Sequence, residues 1–194
     1  MANTPVDQHY RAAWDEMTGP EAPFGWSVTE VRGVATRVYN NAPPNMALIW
    51  AGSIAQGDNE YLVYGEESLS YAQVHQKVDA LAAHLSSVGV GHGDRVAVSM
   101  RNYPEWVVTY WATIKIGAAL VGMNAWWTTP EMEFGIVDST PKALVVDGER
   151  LERVAPVLSS LRAENPLLVL VVRSEGDLPE DALHWEDALA AAAD

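Results

Sequence analysis

The chain has 194 residues, of which 48% are hydrophobic and 20% are charged; this is enough apolar sequence to bury a core and excludes a disordered chain. Its 12 basic and 26 acidic side chains give a formal net charge of −14, and this excess of negative charge disfavours binding to nucleic acid. No Cys is present, so a disulfide framework, a thiolate metal site and a cysteine nucleophile are all excluded.

The N-terminal sequence and the apolar runs bear on localisation. The first residues lack the basic stretch followed by an apolar stretch that a secretory signal needs. No run approaches the roughly 18 uninterrupted apolar residues that a membrane-spanning helix requires. We therefore expect a cytoplasmic protein without a transmembrane segment.

Residues 1–45 are predicted to form an N-terminal helical segment. The pattern over residues 8–17 is typical of a helix. Ser27 and Glu30 stand three positions apart, as in a capping box, and predict a second helix that runs to about Asn40. The pair Pro43-Pro44 would end that helix, because proline lacks the backbone N–H that a helix interior needs.

Two short apolar runs follow, ALIWAG at 47–52 and EYLVYG at 60–65, and a tight GEES turn comes directly after the second. Such runs bounded by turn residues predict short strands and a small antiparallel hairpin. We place them at the start of an α/β subdomain that covers residues 46–194.

From Ser70 onward, helical periodicity alternates with compact apolar runs. Ser70 is a predicted helix cap, and Gly89 follows the end of that helix. Strands are predicted at 95–100, 119–123, 143–146 and 167–172, with helices at 104–116, from Thr129, at 149–161 and in the Ala-rich C-terminal stretch. Nearly continuous apolar strands joined by helices predict an α/β fold with a mostly parallel sheet covered on both faces.

Two glycine-rich segments do not match the phosphate-binding motifs that they partly resemble. The segment at 89–94 follows a helix and precedes a strand, the reverse of the order in a dinucleotide-binding turn. The segment at 117–122 continues with Met123-Asn124, where a P-loop needs Lys and Ser or Thr. The five His residues show no metal-binding spacing, and we expect each to lie on the surface or on a helix face.

Trp126-Trp127 and the pair Arg150 and Arg153 are the candidate site residues. The two tryptophans follow a predicted strand, and ligands of open α/β sheets approach beyond the carboxyl ends of strands, so this loop either contacts a ligand or packs. The two arginines lie three apart on a predicted helix, so they either clamp a phosphate or solvate a helix face.

Four blocks together resemble the adenylate-forming superfamily of acyl-CoA synthetases, adenylation domains and luciferases. They are LSYAQV at 69–74, GDRVAV at 93–98, NYPEW at 102–106 and KIGAALVGMN at 115–124. The first is similar to the LTYxEL motif and the last to the KxGAxxVPLN motif, with Gly122-Met123 where Pro-Leu is usual. The resemblance covers residues 45–175 and implies a partial N-terminal domain of an acyl-CoA synthetase fold.

The resemblance implies a parent enzyme that joins a fatty or other carboxylic acid to CoA with ATP and Mg²⁺, through an acyl-adenylate. The family's phosphate loop, adenine and Mg²⁺ motif, ribose Asp and catalytic Lys have no counterpart here, so the chain alone is expected to be inactive and to bind no cofactor tightly. Its partner would be the remainder of the ligase chain, and homo-oligomers stay open. Trp126, Trp127, Arg150 and Arg153 would lie near the CoA nucleotide.

Two other hypotheses compete with the ligase reading. One is a non-catalytic interaction or regulatory module that keeps a ligase-like fold. The other is an independent nucleotide-binding enzyme of the flavodoxin or Rossmann type, which lacks here the glycine loop between strand and helix that it most needs.

Overall fold

The computed structural model describes residues 4–191, and the chain divides into two compact units between Leu48 and Ile49. The predicted division into residues 1–45 and 46–194 differs from this boundary by a few residues and stays a prediction. The first unit begins with helix α1 (Pro5–Thr18), which covers the predicted helix at 8–17. Thr4 and Asp7 form a capping box at its start.

The helix predicted from Ser27 to Asn40 is wrong, because this segment is a β-hairpin. Strand β1 (Trp26–Val31) pairs antiparallel with β2 (Val34–Tyr39). Arg32 and Gly33 join them with φ of 51° and 81°, the two positive φ angles of a type I′ turn, whose twist matches that of the strands. The β-branched residues in both strands, three in each, outweigh the capping-box pattern at Ser27.

A helix stands where the ALIWAG run predicted a strand, so that prediction is also wrong. Helix α2 (Met46–Gly52) crosses the boundary between the units and continues as a 3-10 turn, Ser53–Gln56. Trp50 is the buried residue of α2, and its ring stacks on those of His75 and Trp111. The predicted hairpin is confirmed as β3 (Glu60–Tyr64) paired antiparallel with β4 (Glu67–Ser70).

A five-stranded parallel sheet forms the centre of the second unit and confirms the predicted α/β fold. Its order is β6-β5-β7-β8-β9, and every neighbouring pair is parallel. The strands are β5 (Arg95–Ser99), β6 (Ala119–Gly122), β7 (Ala143–Asp147), β8 (Leu168–Val172) and β9 (Ala182–His184). The short edge strand β9 has no counterpart among the predicted elements.

Five helices cover the two faces of this sheet. They are α3 (Tyr71–Ser87), α4 (Pro104–Lys115), α5 (Thr129–Ser139), α6 (Gly148–Glu164) and α7 (Trp185–Ala190). Helices α3, α4 and α7 bury one apolar cluster against the sheet, and α5 and α6 bury a second on the opposite face. Ser70 caps α3 through a capping box with Gln73, as predicted. Within residues 4–191 no helix has the length and hydropathy needed to cross a membrane.

Candidate functional site

The carboxyl ends of β5, β6 and β7 lie side by side, and the residues that follow β5 and β6 border a cleft. All three strands are parallel, so the chain leaves each of them at the same edge of the sheet. The opening has a volume of about 370 Å³ and is here called the Trp126 cleft. It is lined by Tyr64, Met100, Arg101, Asn102, Ala125 and Trp126. This is where ligands bind in open α/β sheets.

Asp147, the last residue of β7, connects the ends of β5 and β7. Its side chain is 4% exposed. One carboxylate oxygen accepts a hydrogen bond of 3.0 Å from the Arg150 backbone N–H and so caps α6, and the other accepts one of 3.1 Å from the Arg101 backbone N–H. A buried carboxylate therefore fixes both the start of α6 and the residues that follow β5.

Arg150 lies beneath the loop that follows β6. It is 1% exposed, and its Nε donates to the carbonyl oxygen of Ala125 at 2.7 Å. Its Nη1 lies 3.2 Å from Asp147 Oδ2 and 2.7 Å from Glu149 Oε2. Its Nη2 is buried and has no hydrogen-bond partner within residues 4–191. The buried guanidinium is thus paired, and one of its donors holds the loop.

Arg153 converges on the same loop from one turn further along α6. Its Nη1 donates to the carbonyl oxygens of Ala125 at 3.0 Å and Trp127 at 3.1 Å, and its Nη2 pairs with Glu149. The structure therefore brings the two predicted arginines together. Both use their donors on the backbone of residues 125–127 and on nearby carboxylates.

The two tryptophans have different surroundings. Trp126 is 66% exposed at the mouth of the cleft, with the Arg101 guanidinium 4.4 Å and the Arg150 guanidinium 5.8 Å from its ring centroid. Trp127 packs against the apolar cluster beneath α5, where a Cβ built on Gly135 would come within 2.7 Å of its ring. Trp126 thus presents an aromatic plane to solvent, whereas Trp127 anchors the loop.

Arg101 is the cleft residue that the sequence reasoning missed. Its side chain is exposed and contacts Trp126, but its guanidinium makes no hydrogen bond or ion pair within the part of the chain that the structure describes. Its position two residues after the buried strand β5 was the available signal, since polar residues at strand ends gather at one edge of a parallel sheet.

A second cluster, also missed, fixes the β3–β4 hairpin beside the cleft. Arg173, just after β8, makes paired hydrogen bonds of 2.9 and 2.7 Å to Glu67 and of 3.0 and 3.1 Å to Glu105. Its guanidinium also lies 4.9 Å from the ring centroid of Tyr64 and 4.8 Å from that of Tyr103. These hydrogen bonds lower the pKa of the Glu67 carboxyl and raise the pKa of Arg173. Tyr64, a wall of the cleft, is thereby held in place.

Two of the histidines, His75 and His84, lie on a face of α3, as the prediction allowed, and both are buried. His75 stacks on Trp50 with ring centroids 3.9 Å apart and lies 3.0 Å from Ser53 Oγ, and burial lowers its pKa. Among residues 4–191 there is no group of three or more His, Cys, Asp or Glu side chains placed to hold a metal ion.

The family model that describes AMP-binding enzymes matches residues 52–193, which include the whole parallel sheet and the Trp126 cleft. The chain belongs to the AMP-binding enzyme family. This agrees with the resemblance carried by the four sequence blocks.

Several relatives of the chain carry the name of CoA ligases. The chain is 37% identical over 120 residues to the medium/long-chain-fatty-acid–CoA/3-oxocholest-4-en-26-oate–CoA ligase of Mycobacterium marinum, covering 62% of this chain and 22% of the relative. It is 36% identical over 100 residues to the probable CoA ligase CCL9 of Humulus lupulus, covering 52% of this chain and 19% of that protein. The chain thus spans about a fifth of the length of these relatives.

The solved structure of the anthranilate CoA ligase AuaEII, in complex with anthranoyl-AMP, shares the fold. It superposes with a TM-score of 0.69 at 23% identity and covers 76% of this chain and 28% of that structure. At this identity the similarity shows the fold, an α/β sheet as in the N-terminal domain of adenylate-forming ligases.

Proposed function

We propose that the chain supplies the N-terminal α/β portion of an ATP-dependent acyl-CoA ligase. The whole enzyme would convert a carboxylate, ATP and CoA into acyl-CoA, AMP and pyrophosphate through an acyl-adenylate. The observation that carries the proposal is the AMP-binding match over residues 52–193, on a sheet whose carboxyl edge opens into a cleft. The remainder of the ligase chain would be its partner.

The chain by itself is proposed to be inactive. A Ser/Thr/Gly-rich phosphate loop that ends in Lys-Gly has no counterpart in the 194 residues. Catalysis by such ligases needs donors that stabilise the charge developing at phosphorus and at the acyl carbon. In this proposal ATP and Mg²⁺ act on the complete enzyme, and no tight cofactor binding is expected for the chain alone.

The contribution of this chain would be part of the surface for the CoA nucleotide, formed by Trp126, Trp127, Arg150 and Arg153. The exposed indole of Trp126 supports this role, since an aromatic plane stacks well on a base. Trp127, Arg150 and Arg153 would support the surface from below, as their contacts with the loop and the core indicate.

The acyl substrate is proposed to be a fatty acid. The relative in Mycobacterium marinum, whose name includes medium- and long-chain fatty acids, is 37% identical. The structure with an aromatic adduct shares the fold at 23% identity. An aromatic acid is the alternative that the test below distinguishes.

A chimeric enzyme tests this function. The matched segment of this chain would replace its counterpart in the Mycobacterium marinum ligase, and pyrophosphate release and thioester formation would be measured with fatty and aromatic acids. We expect ATP- and CoA-dependent turnover of fatty acids by the chimera and no turnover by the isolated chain. Turnover of ATP by the isolated chain with a carboxylic acid would refute the proposal. A folded chimera without activity on any acid would instead favour a non-catalytic module.

A further inference from the structure

The arginines near the carboxyl edge of the sheet divide into paired and unpaired residues. Arg150, Arg153 and Arg173 each form ion pairs with carboxylates. The Arg101 side chain forms no ion pair within residues 4–191. The nearby Asp147 carboxylate is already used, because it accepts hydrogen bonds from the Arg150 guanidinium and from the Arg101 backbone N–H. In a chain with a net charge of −14, an exposed guanidinium without a carboxylate partner is available for an anion.

We propose that Arg101 binds a phosphate of a nucleotide ligand whose base stacks on Trp126, and that Arg150 and Arg153 position the loop without touching the ligand. The identity of that ligand as CoA rests on the proposed function. The assignment of Arg101 rests on the contacts in the cleft. It transfers the phosphate-binding role from the arginine pair on α6 to a residue in the loop after β5.

The chemistry of the two side chains fits this ligand class. A guanidinium presents N–H donors in a planar fork that matches phosphate oxygens, and its hydrogen bonds to an anion are charge-assisted. The Arg101 guanidinium lies 4.4 Å from the Trp126 ring centroid, so the two groups form one continuous surface at the mouth of the cleft. A cleft volume of about 370 Å³ accommodates part of a nucleotide.

Arg150 and Arg153 are poorly placed to bind the phosphate. Arg150 is 1% exposed. Arg153 Nη1 donates to two loop carbonyls, and its Nη2 pairs with Glu149. The one Arg150 nitrogen without a partner, Nη2, is itself buried. Arg153 would have to release the loop carbonyl oxygens or the Glu149 carboxylate to reach a ligand. Their geometry therefore supports a positioning role.

The test uses the 194-residue chain and two-dimensional NMR spectra, which detect weak binding through the tryptophan indole N–H and arginine Nε–H resonances. CoA, 3′-dephospho-CoA, pantetheine and inorganic phosphate would each be titrated. The variants are Arg101→Gln and Arg101→Lys. Arg37→Gln is the matched control, because Arg37 is also exposed and stacks on a tryptophan, Trp26, at 4.5 Å.

We expect CoA to shift the Trp126 and Arg101 resonances of the wild-type chain, with affinity that falls as salt is added. Arg101→Gln should weaken CoA binding about tenfold or more, Arg101→Lys less, and Arg37→Gln not at all. Pantetheine, which has no nucleotide, should bind the wild-type chain and Arg101→Gln alike.

Three results would overturn the inference. Equal CoA affinity of Arg101→Gln and Arg37→Gln would remove Arg101 from the site and leave the proposed CoA surface intact. Inorganic phosphate that shifts the same resonances with the same affinity as CoA would show binding of an ion only. Absence of any shift with CoA would overturn the inference together with the proposed CoA surface, whereas the chimera reports on the ligase function separately.

Discussion

Replacing Asp147 with Asn should destabilise the protein through the charge that it leaves behind. Asp147 and Arg150 are 4% and 1% exposed, and the carboxylate lies 3.2 Å from Arg150 Nη1. The neutral amide keeps the shape of the side chain and can still cap α6. The guanidinium of Arg150, however, loses its buried counter-charge.

The expected loss follows from what remains around Arg150. Removing one partner of a buried ion pair costs about 3–5 kcal/mol when the other charge is left uncompensated. Glu149 still lies 2.7 Å from Arg150 Nη1, but its side chain is 53% exposed and compensates only in part. We therefore expect Asp147→Asn to lower the free energy of unfolding by about 2–3 kcal/mol. Asp147→Ala should lower it by about 4 kcal/mol, because the helix cap and the hydrogen bond from Arg101 are lost as well.

Urea unfolding at neutral pH, followed by far-UV circular dichroism, measures these losses as shifts of the midpoint at unchanged slope. Glu152→Gln is the control, because Glu152 is exposed on the same helix and should change stability by less than about 0.5 kcal/mol. A double-mutant cycle with Arg150→Met isolates the pair and should give a coupling energy of about 2 kcal/mol. If Asp147→Asn were as stable as Glu152→Gln, the interpretation of Asp147 as the counter-charge of Arg150 would be refuted.

Three further predictions concern other parts of the second unit. Gly135→Ala should lower the free energy of unfolding by about 1–3 kcal/mol, because the new methyl group would lie 2.7 Å from the Trp127 ring. It should also weaken any CoA-induced shift of the Trp126 resonance. Unchanged urea unfolding and unchanged NMR spectra would contradict this prediction. Ser70→Ala should lower the free energy of unfolding by about 1 kcal/mol through loss of the α3 cap, and a loss below a few tenths in the same assay would speak against the capping box. Arg173 lowers the pKa of Glu67 from 4.5, so the stabilisation that their hydrogen bonds give is present above pH 4.5 and is lost as the pH falls through the folded-state pKa. Glu67→Gln should therefore lose less stability on acidification than the wild-type chain. Parallel profiles of stability against pH would refute the role of Arg173 in lowering this pKa.

Local sequence patterns predicted most of the second unit correctly. The apolar runs at β5, β7 and β8 encode strands that are buried on both faces, and helical periodicity encodes the apolar side of α3 and α6. Such patterns arise from which side chains each element buries, two faces for these strands and one for the helices, and they can be read from neighbouring residues. The alternation of strands and helices was therefore sufficient to predict a parallel α/β sheet.

The same local rules failed where two patterns competed. Ser27 and Glu30 fit a capping box, but positive φ angles at Arg32 and Gly33 and pairing between β1 and β2 make a hairpin. The ALIWAG run is apolar enough for a strand, yet stacking of Trp50 on His75 fixes it as part of a helix. In the first case the turn and strand pairing within residues 26–39 decide the conformation, and in the second a contact with a distant helix does.

The sequence by itself determined the fold class and the family, because both are encoded in the residues that each strand and helix buries. It also pointed to Trp126, since strand ends in a parallel sheet gather at one edge, and to the arginine pair on α6, since residues three apart project from one side of a helix. Only the tertiary structure decided their roles. The strand order β6-β5-β7 places Arg101, Ala125 and Asp147 together. Packing between distant segments sets this order. It determines that the Arg150 guanidinium is buried beneath the loop that follows β6 and that the Arg101 guanidinium faces solvent.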